Sequence, residues 1–199
     1  MEINLNKEDG MNQMDRPFLI GEKIYLRPLD MDDVNEKYLH WINDETVINF
    51  LATTTFPTTL DQLESYVKSI NNSPNFFFFA IVEKETNNHI GNVKIGPIDW
   101  VNRTSNYGLM IGDKSSWGKG YASEVFKLLL KYAFRKLNLH KLWDIAAATH
   151  IASIKANENA GFKIEAELKQ HSFKNGKYED VVILSITSDE YFLKAKEEA

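Results

Sequence analysis

The stretch that most constrains this chain is a strand, a glycine loop and a helix in direct succession. Tyr107-Gly108-Leu109-Met110-Ile111-Gly112 is apolar and strand-like, Trp117-Gly118-Lys119-Gly120-Tyr121-Ala122-Ser123 follows, and the spacing from Tyr121 to Leu137 predicts a long amphipathic helix. The first backbone N–H groups of a helix have no partner within it, and the macrodipole adds partial positive charge there. Two glycines one residue apart also let a backbone come close to a pyrophosphate. A plain tight turn into a helix has the same pattern. Two well-known phosphate motifs do not fit. The dinucleotide fingerprint needs a third glycine where Ser123 stands, and a P-loop needs Ser or Thr where Gly120 follows Gly118-Lys119.

The remaining pattern alternates between periods. Ile24 to Leu29 reads as a strand. Asp32 to Trp41 has helical spacing, with Asp30 or Asp32 as its cap, and Thr46 to Leu51 reads as a short helix or turn. Leu60 to Ile70 reads as a helix capped by Thr59. Phe76 to Val82 is apolar throughout, as befits a strand covered on both faces, and turns at Glu85 to Asn88 into a second strand, His89 to Ile98. Leu142 to Ala148 reads as a strand, and His150 to Ala160 as a helix stopped by Gly161. Phe162 to Phe173 and Tyr178 to Ile186 form a closing hairpin, and Ser188 to Glu198 a last helix. The expected class is α+β: a central mixed, mostly antiparallel sheet with helices on both faces. Residues 1–16 read as a loose extension and 17–199 as a single domain.

Bulk properties exclude several roles. The net charge of -5 disfavours non-specific binding to nucleic acid. No apolar run approaches the roughly 20 residues that span a bilayer, and the polar first residues lack the apolar core of a secretory signal. A cytoplasmic location is the default expectation. With no cysteine there is no disulfide, thiolate metal site or acyl-cysteine intermediate, and no metal site is read in the chain.

Ile111-Gly112-Asp113-Lys114-Ser115-Ser116-Trp117-Gly118-Lys119-Gly120-Tyr121-Ala122-Ser123-Glu124 resembles motif A of the GNAT N-acetyltransferase superfamily. It looks most like the branch of the ribosomal-protein N-terminal acetyltransferases. His150-Ile151-Ala152-Ser153-Ile154-Lys155-Ala156-Asn157-Glu158-Asn159-Ala160-Gly161-Phe162 resembles motif B, and Trp41-Ile42-Asn43-Asp44-Glu45-Thr46-Val47 a segment near the start of many members. The resemblance implies the GNAT fold and acetyl-coenzyme A as cosubstrate. Its pyrophosphate would meet the backbone of Trp117, Gly118, Lys119, Gly120, Tyr121 and Ala122, with Ser123 adding a hydroxyl. Its pantetheine arm would pair with Met110, Ile111 and Gly112 like an added strand. Lys127, Lys131 and Arg135 form a basic stripe that is either a wet helix face or a contact for the 3′-phosphate.

The resemblance implies direct attack of a neutral amine on the thioester, with a base or water chain to deprotonate an ammonium. Many members have a tyrosine acid where this chain has Asn157, which can donate a hydrogen bond but no acidic proton. His150, where many have asparagine, could be a base, a pantetheine contact or a structural histidine. Tyr107, on the strand beside the cofactor, is a further acid–base candidate, and Asp99 and Glu83 are weaker ones. For the acceptor, Trp41 and Phe50 could stack on a sugar or base, with Asn43 beside them, or could be core residues. Similarity of Trp41–Asp44 with Asn49–Leu51, and of Ile90–Ile98, to enzymes of surface-polysaccharide synthesis implies a nucleotide-linked amino sugar. A protein N-terminus, or a non-catalytic acyl-coenzyme A-binding role, are the alternatives. The partners expected are a small amine and, as a guess about assembly, a second copy in a homodimer.

Overall fold

A computed structural model describes residues 16–49, 56–174 and 176–197. Phe50 and all of the expected extension except Arg16 lie outside the described residues. In chain order the elements are β1 (Leu19–Ile20), β2 (Ile24–Pro28), a 3₁₀ turn (Met31–Asp33), α1 (Glu36–Asn43), α2 (Glu45–Ile48), α3 (Leu60–Asn71), β3 (Phe77–Glu83), β4 (Asn88–Asp99) and β5 (Thr104–Ile111). A second 3₁₀ turn (Lys114–Ser116) precedes α4 (Tyr121–Arg135), β6 (Lys141–Ala147), α5 (Ile151–Ala160), β7 (Lys163–Lys174), β8 (Lys177–Thr187) and α6 (Ser188–Glu197). The strands form one sheet in the order β1-β2-β3-β4-β5-β6-β8-β7. Every neighbouring pair is antiparallel except β5–β6, which α4 connects as a parallel crossover. No described helix is long and apolar enough to cross a membrane.

The sheet divides two cores. Phe79 and Ile81 of β3 face α4, packing with Val125, Leu129 and Ala133. Phe78, Ala80 and Val82, the alternate residues, face α1 and α3, packing with Tyr38, Leu63 and Val67. A strand buried on both faces has no solvent side to carry polar residues, hence the unbroken apolar run.

The start of α1 differs from the expectation. Instead of a helix from Asp32, the chain makes a 3₁₀ turn in which Asp30 and Asp33 form a reciprocal capping box. Asp33 is held there by Arg27, whose guanidinium donates to it through two bonds of 2.6 and 2.7 Å in a buried site. Asn35 then caps α1 by accepting from Lys37 and Tyr38 N–H. Thr59 caps α3 in a box with Gln62, as the sequence predicts.

The feature that positions a site is a split in the sheet. β5 and β6 pair only through Thr104–Asn106 against Lys141–Trp143. Beyond that, β5 stays with β4 up to Ile111 and β6 stays with β8 up to Ala147, so a wedge opens between them.

Candidate active site

Tyr107 and Asp144 are the first residues past the last pair, and they form the floor of the wedge. The Tyr107 hydroxyl lies 3.2 Å from Asp144 Oδ2 and also donates to Asn157 Oδ1 from α5. Asn157 is fully buried, and its Nδ2 donates to Ser153 O at 3.1 Å. Phe126 and Phe162 enclose the Tyr107 ring at centroid distances of 5.5 and 5.6 Å. Burial, with the charge of Asp144 adding to it, pushes the Tyr107 hydroxyl well above the ordinary tyrosine range. The sequence brought Tyr107 and Asn157 forward separately, and the fold joins them. Asp144 was missed, because a lone aspartate in an apolar strand carries no pattern.

The walls are backbone and helix ends. Gly112 N–H donates to Ile90 O at 3.0 Å, so by antiparallel alternation Gly112 and Met110 direct their backbone groups toward β4. The edge that faces the wedge belongs to Leu109 and Ile111. This corrects the assignment of that edge to Met110, Ile111 and Gly112, and adds Leu109. The Ile111 carbonyl accepts the Trp117 indole N–H at 2.8 Å, which pins the glycine loop to the strand end.

Among the long helices the N-termini divide sharply. Side chains cap α1 (Asn35) and α3 (Thr59), and Thr187 caps α6 in exchange with Glu190. No side chain caps α4 or α5. These are the helices beside the wedge; the Ile151 N–H of α5 is taken by Thr149 O at 3.0 Å, and the remaining N–H groups of the two first turns are without a side-chain cap. Gly118 and Gly120 have φ of +75° and +84°, and a Cβ on either would meet no atom within 4 Å. The loop is thus a backbone cradle with open space in front of it. The exposed Lys119 places its Nζ 3.4 Å from Glu83 Oε1. Glu83, a buried carboxylate, also accepts from Thr86 and Tyr121 hydroxyls, which hold its pKa down at about 2. It moors the cradle to the end of β3.

Beside Ser123 a cavity of about 380 Å³ lies between α4, α5 and α6, lined in part by Lys127, Asn159, Tyr191 and Lys194. The basic stripe therefore divides: Lys127 lines this cavity, whereas Arg135 lies over the Phe192 ring at 5.3 Å.

Of the expected acceptor residues that the structure describes, Trp41 is buried and Asn43 is exposed. Trp41 is buried against Gly112, where an added Cβ would come within 2.1 Å of its ring. Asn43 exchanges hydrogen bonds with the Thr58 backbone at 2.9 Å in both directions. Asp44, the cap of α2, pairs with Lys114 at 2.6 Å. Asn106, at the last paired position of β5, has a buried Oδ1 that no described group donates to. His150 stands at the far end of the wedge as the N-cap of α5, and burial, followed by the charge of Lys174, holds its pKa below the ordinary value.

Residues 23–163 match the family described as the acetyltransferase (GNAT) domain. The uncharacterized N-acetyltransferase p20 of Bacillus licheniformis is 29% identical over 176 residues, which cover 87% of this chain and 97% of p20. The spermidine N(1)-acetyltransferase of Vibrio cholerae is 28% identical over 178 residues, covering 89% of this chain and all of the relative. A crystal structure of the Vibrio cholerae spermidine N-acetyltransferase in complex with CoA and spermine superposes with a TM-score of 0.79 at 25% identity, covering 85% of this chain and 98% of that one.

Proposed function

The chain belongs to the GNAT acetyltransferase family, and from that premise we propose that it acetylates the primary amine of a nucleotide-linked amino sugar. It is an acetyl-coenzyme A-dependent N-acetyltransferase. The observation that carries the site assignment is the wedge, with two uncapped helix N-termini and an open glycine cradle beside it. The residues present fit the cosubstrate. Trp117 to Ser123 would hold its pyrophosphate, and the wedge-facing edge of Leu109 and Ile111 would hold its pantetheine arm. The Leu109 or Ile111 N–H is then the natural donor to the thioester oxygen. Acetyl-coenzyme A supplies an activated acyl group whose thiolate leaves readily.

The cavity beside Ser123 suits the adenosine end, with Lys127 as the cation for its 3′-phosphate. Replacing Lys127 by Ala should raise KM for acetyl-coenzyme A about fivefold, the scale of one partly exposed charge contact. KM for the dephospho form, which lacks that phosphate, should not change. Equal effects on both would place the phosphate elsewhere.

For the acceptor, the charge at the mouth of the wedge is the guide. His150 is held toward its neutral form by burial and Lys174, and the carboxylates of Asp44 and Asp180 are paired with Lys114 and Lys169. With those carboxylates paired, this mouth offers little free negative charge to hold a polycation. Asn106 Oδ1, on the face of β5 opposite to Tyr107, could accept an N–H from the acceptor amine. A polyamine is the second reading, supported by the named activity of the relatives from Vibrio cholerae and Escherichia coli.

The test is thiol release from acetyl-coenzyme A with amino nucleotide-sugars, spermidine and peptides as acceptors. The chain has no cysteine, so each thiol detected comes from the cosubstrate. The expected result is a kcat/KM at least about tenfold higher for an amino nucleotide-sugar, roughly 1.4 kcal/mol of discrimination. A preference for spermidine would replace this reading with the polyamine one.

A further inference from the structure

The hydroxyl of Tyr107 has one proton and two neighbours. Asn157 Oδ1 is the nearer, and Asp144 Oδ2 lies at 3.2 Å. The Asn157 amide is oriented by its own donation to Ser153 O, one turn back on α5, so its oxygen faces the tyrosine. The tyrosine proton therefore goes to Asn157, and its oxygen presents lone pairs to Asp144. An ionised carboxylate can only accept, and would be repelled by them; a protonated one donates into them. The arrangement describes a chain from Asp144 O–H to Tyr107 O–H to Asn157.

The surroundings agree. Asp33, Asp44, Glu83 and Asp180 each have a lysine or arginine within 4 Å, whereas no described cation pairs with Asp144. Its neighbours are Tyr107 from β5, Asn157 from α5, the Ile145 N–H, and Leu184 opposite on β8. The hydrogen bonds of Ile145 N–H, Tyr107 and Asn157 favour the ionised form, but burial outweighs them and pushes the pKa up to about 6. It is nonetheless half-buried rather than sealed, at the floor of the wedge.

We propose that Asp144 is the general acid of the transfer, a carboxylic acid held at the wedge floor that protonates the departing thiolate. It takes the role of the tyrosine that many relatives have where this chain has Asn157. The inference rests on the acetyl-transfer reading above. The amine nitrogen bonds to the acetyl carbon and sheds its extra proton to water. The C–S bond breaks with its electron pair going to sulfur. The Asp144 proton passes to that sulfur, and the carboxylate left behind regains one from water. Transfer from a carboxylic acid to a thiolate, whose reference thiol pKa is about 8.5, runs downhill. When Asp144 is ionised, the Tyr107 proton can turn from Asn157 to stabilise it.

The test is Asp144→Asn. The new amide can donate to Tyr107 as the protonated carboxyl does, so the fold is kept, but it has no acidic proton. The expected kcat falls about a hundredfold, the lower end for general acid catalysis because a thiolate leaves readily. KM for acetyl-coenzyme A should stay within about twofold. The decline of wild-type kcat as pH rises through the acid's pKa should vanish in the variant. A variant with wild-type kcat, or one that keeps the declining limb, overturns the proposal.

A second readout needs no acceptor. Difference infrared spectra of wild-type protein should show a protonated carboxyl band that titrates near neutrality and is missing in the variant. Wild-type turnover without that band overturns the role of Asp144 alone. Failure of the wild-type protein to acetylate any amine overturns the acetyl-transfer reading and this role together. Stability follows the same proton. A folded pKa above the unfolded one contributes stability that is present at low pH and lost as pH rises past it. Asp144→Asn should therefore raise Tm at pH 8 relative to its effect at pH 5.

Discussion

Replacing Gly120 by Val should weaken acetyl-coenzyme A binding at least about a hundredfold while the protein still folds. Gly120 is the N-cap of α4 at a φ of +84°, and the space where its Cβ would go is empty of protein atoms. A side chain there is strained and projects into the space proposed for the pyrophosphate. Charge-assisted hydrogen bonds to backbone N–H groups contribute roughly 1.5–3 kcal/mol each, and losing one or two gives the predicted factor. The backbone strain by itself costs about 1–3 kcal/mol. Calorimetric titration with acetyl-coenzyme A, run beside urea unfolding, separates the two effects. Gly120→Ala should show the same pattern more weakly. Affinity within threefold of wild type would mean that this loop does not hold the phosphates.

The largest loss of stability should come from Arg27→Met. Arg27 and Asp33 are buried at 6% and 4% exposure and joined by two parallel hydrogen bonds. Burial, the largest single effect, would raise the Asp33 pKa, but the Arg27 hydrogen bonds, the Asp30 N–H and the nearby positive charge together hold it below the ordinary value. Methionine would leave a buried carboxylate without its cation, and breaking such a pair costs about 3–5 kcal/mol. His89, 3.6 Å from Asp33, is held toward neutrality by burial and is a poor substitute. The pH dependence has a definite sign. A depressed carboxylate contributes stability above its unfolded pKa and loses it as pH falls through the folded one. The gap between variant and wild type should thus be widest near neutral pH, narrow as the unpartnered carboxylate of the variant protonates, and close only when pH falls through the depressed pKa of wild-type Asp33. A gap under 1 kcal/mol in urea unfolding at pH 7 would refute this account.

Local rules made much of this fold readable. Thr59 and Gln62, three residues apart, are a capping box that announces α3, and Gly161 marks the end of α5 at a φ of +109°. The glycine loop was likewise visible, since Gly118 and Gly120 act through their own backbone. Where a long-range partner decides, sequence spacing misleads. Asp30 and Asp32 look like caps for α1, yet Arg27 draws Asp33 into a 3₁₀ turn and Asn35 caps the helix. The direction of the backbone at Leu109 and Met110 depends on their register with β4, which no single strand reveals. The floor of the site was the least legible part. Tyr107, Asp144 and Asn157 come from three elements, and their meaning lies in the sharing of one proton among them.

The split sheet has a mechanical side. Thr104–Asn106 joined to Lys141–Trp143 is the whole β5–β6 seam, so the two halves of the sheet meet as a hinge meets its leaves. The first rivet beyond that seam is the contact of Tyr107 with Asp144. With its proton the carboxyl draws the leaves together; without it the tyrosine must let go of α5 to keep them joined. If Asp144 carries that proton, a substitution that loosens the short seam should also shift the pH at which the carboxyl ionises.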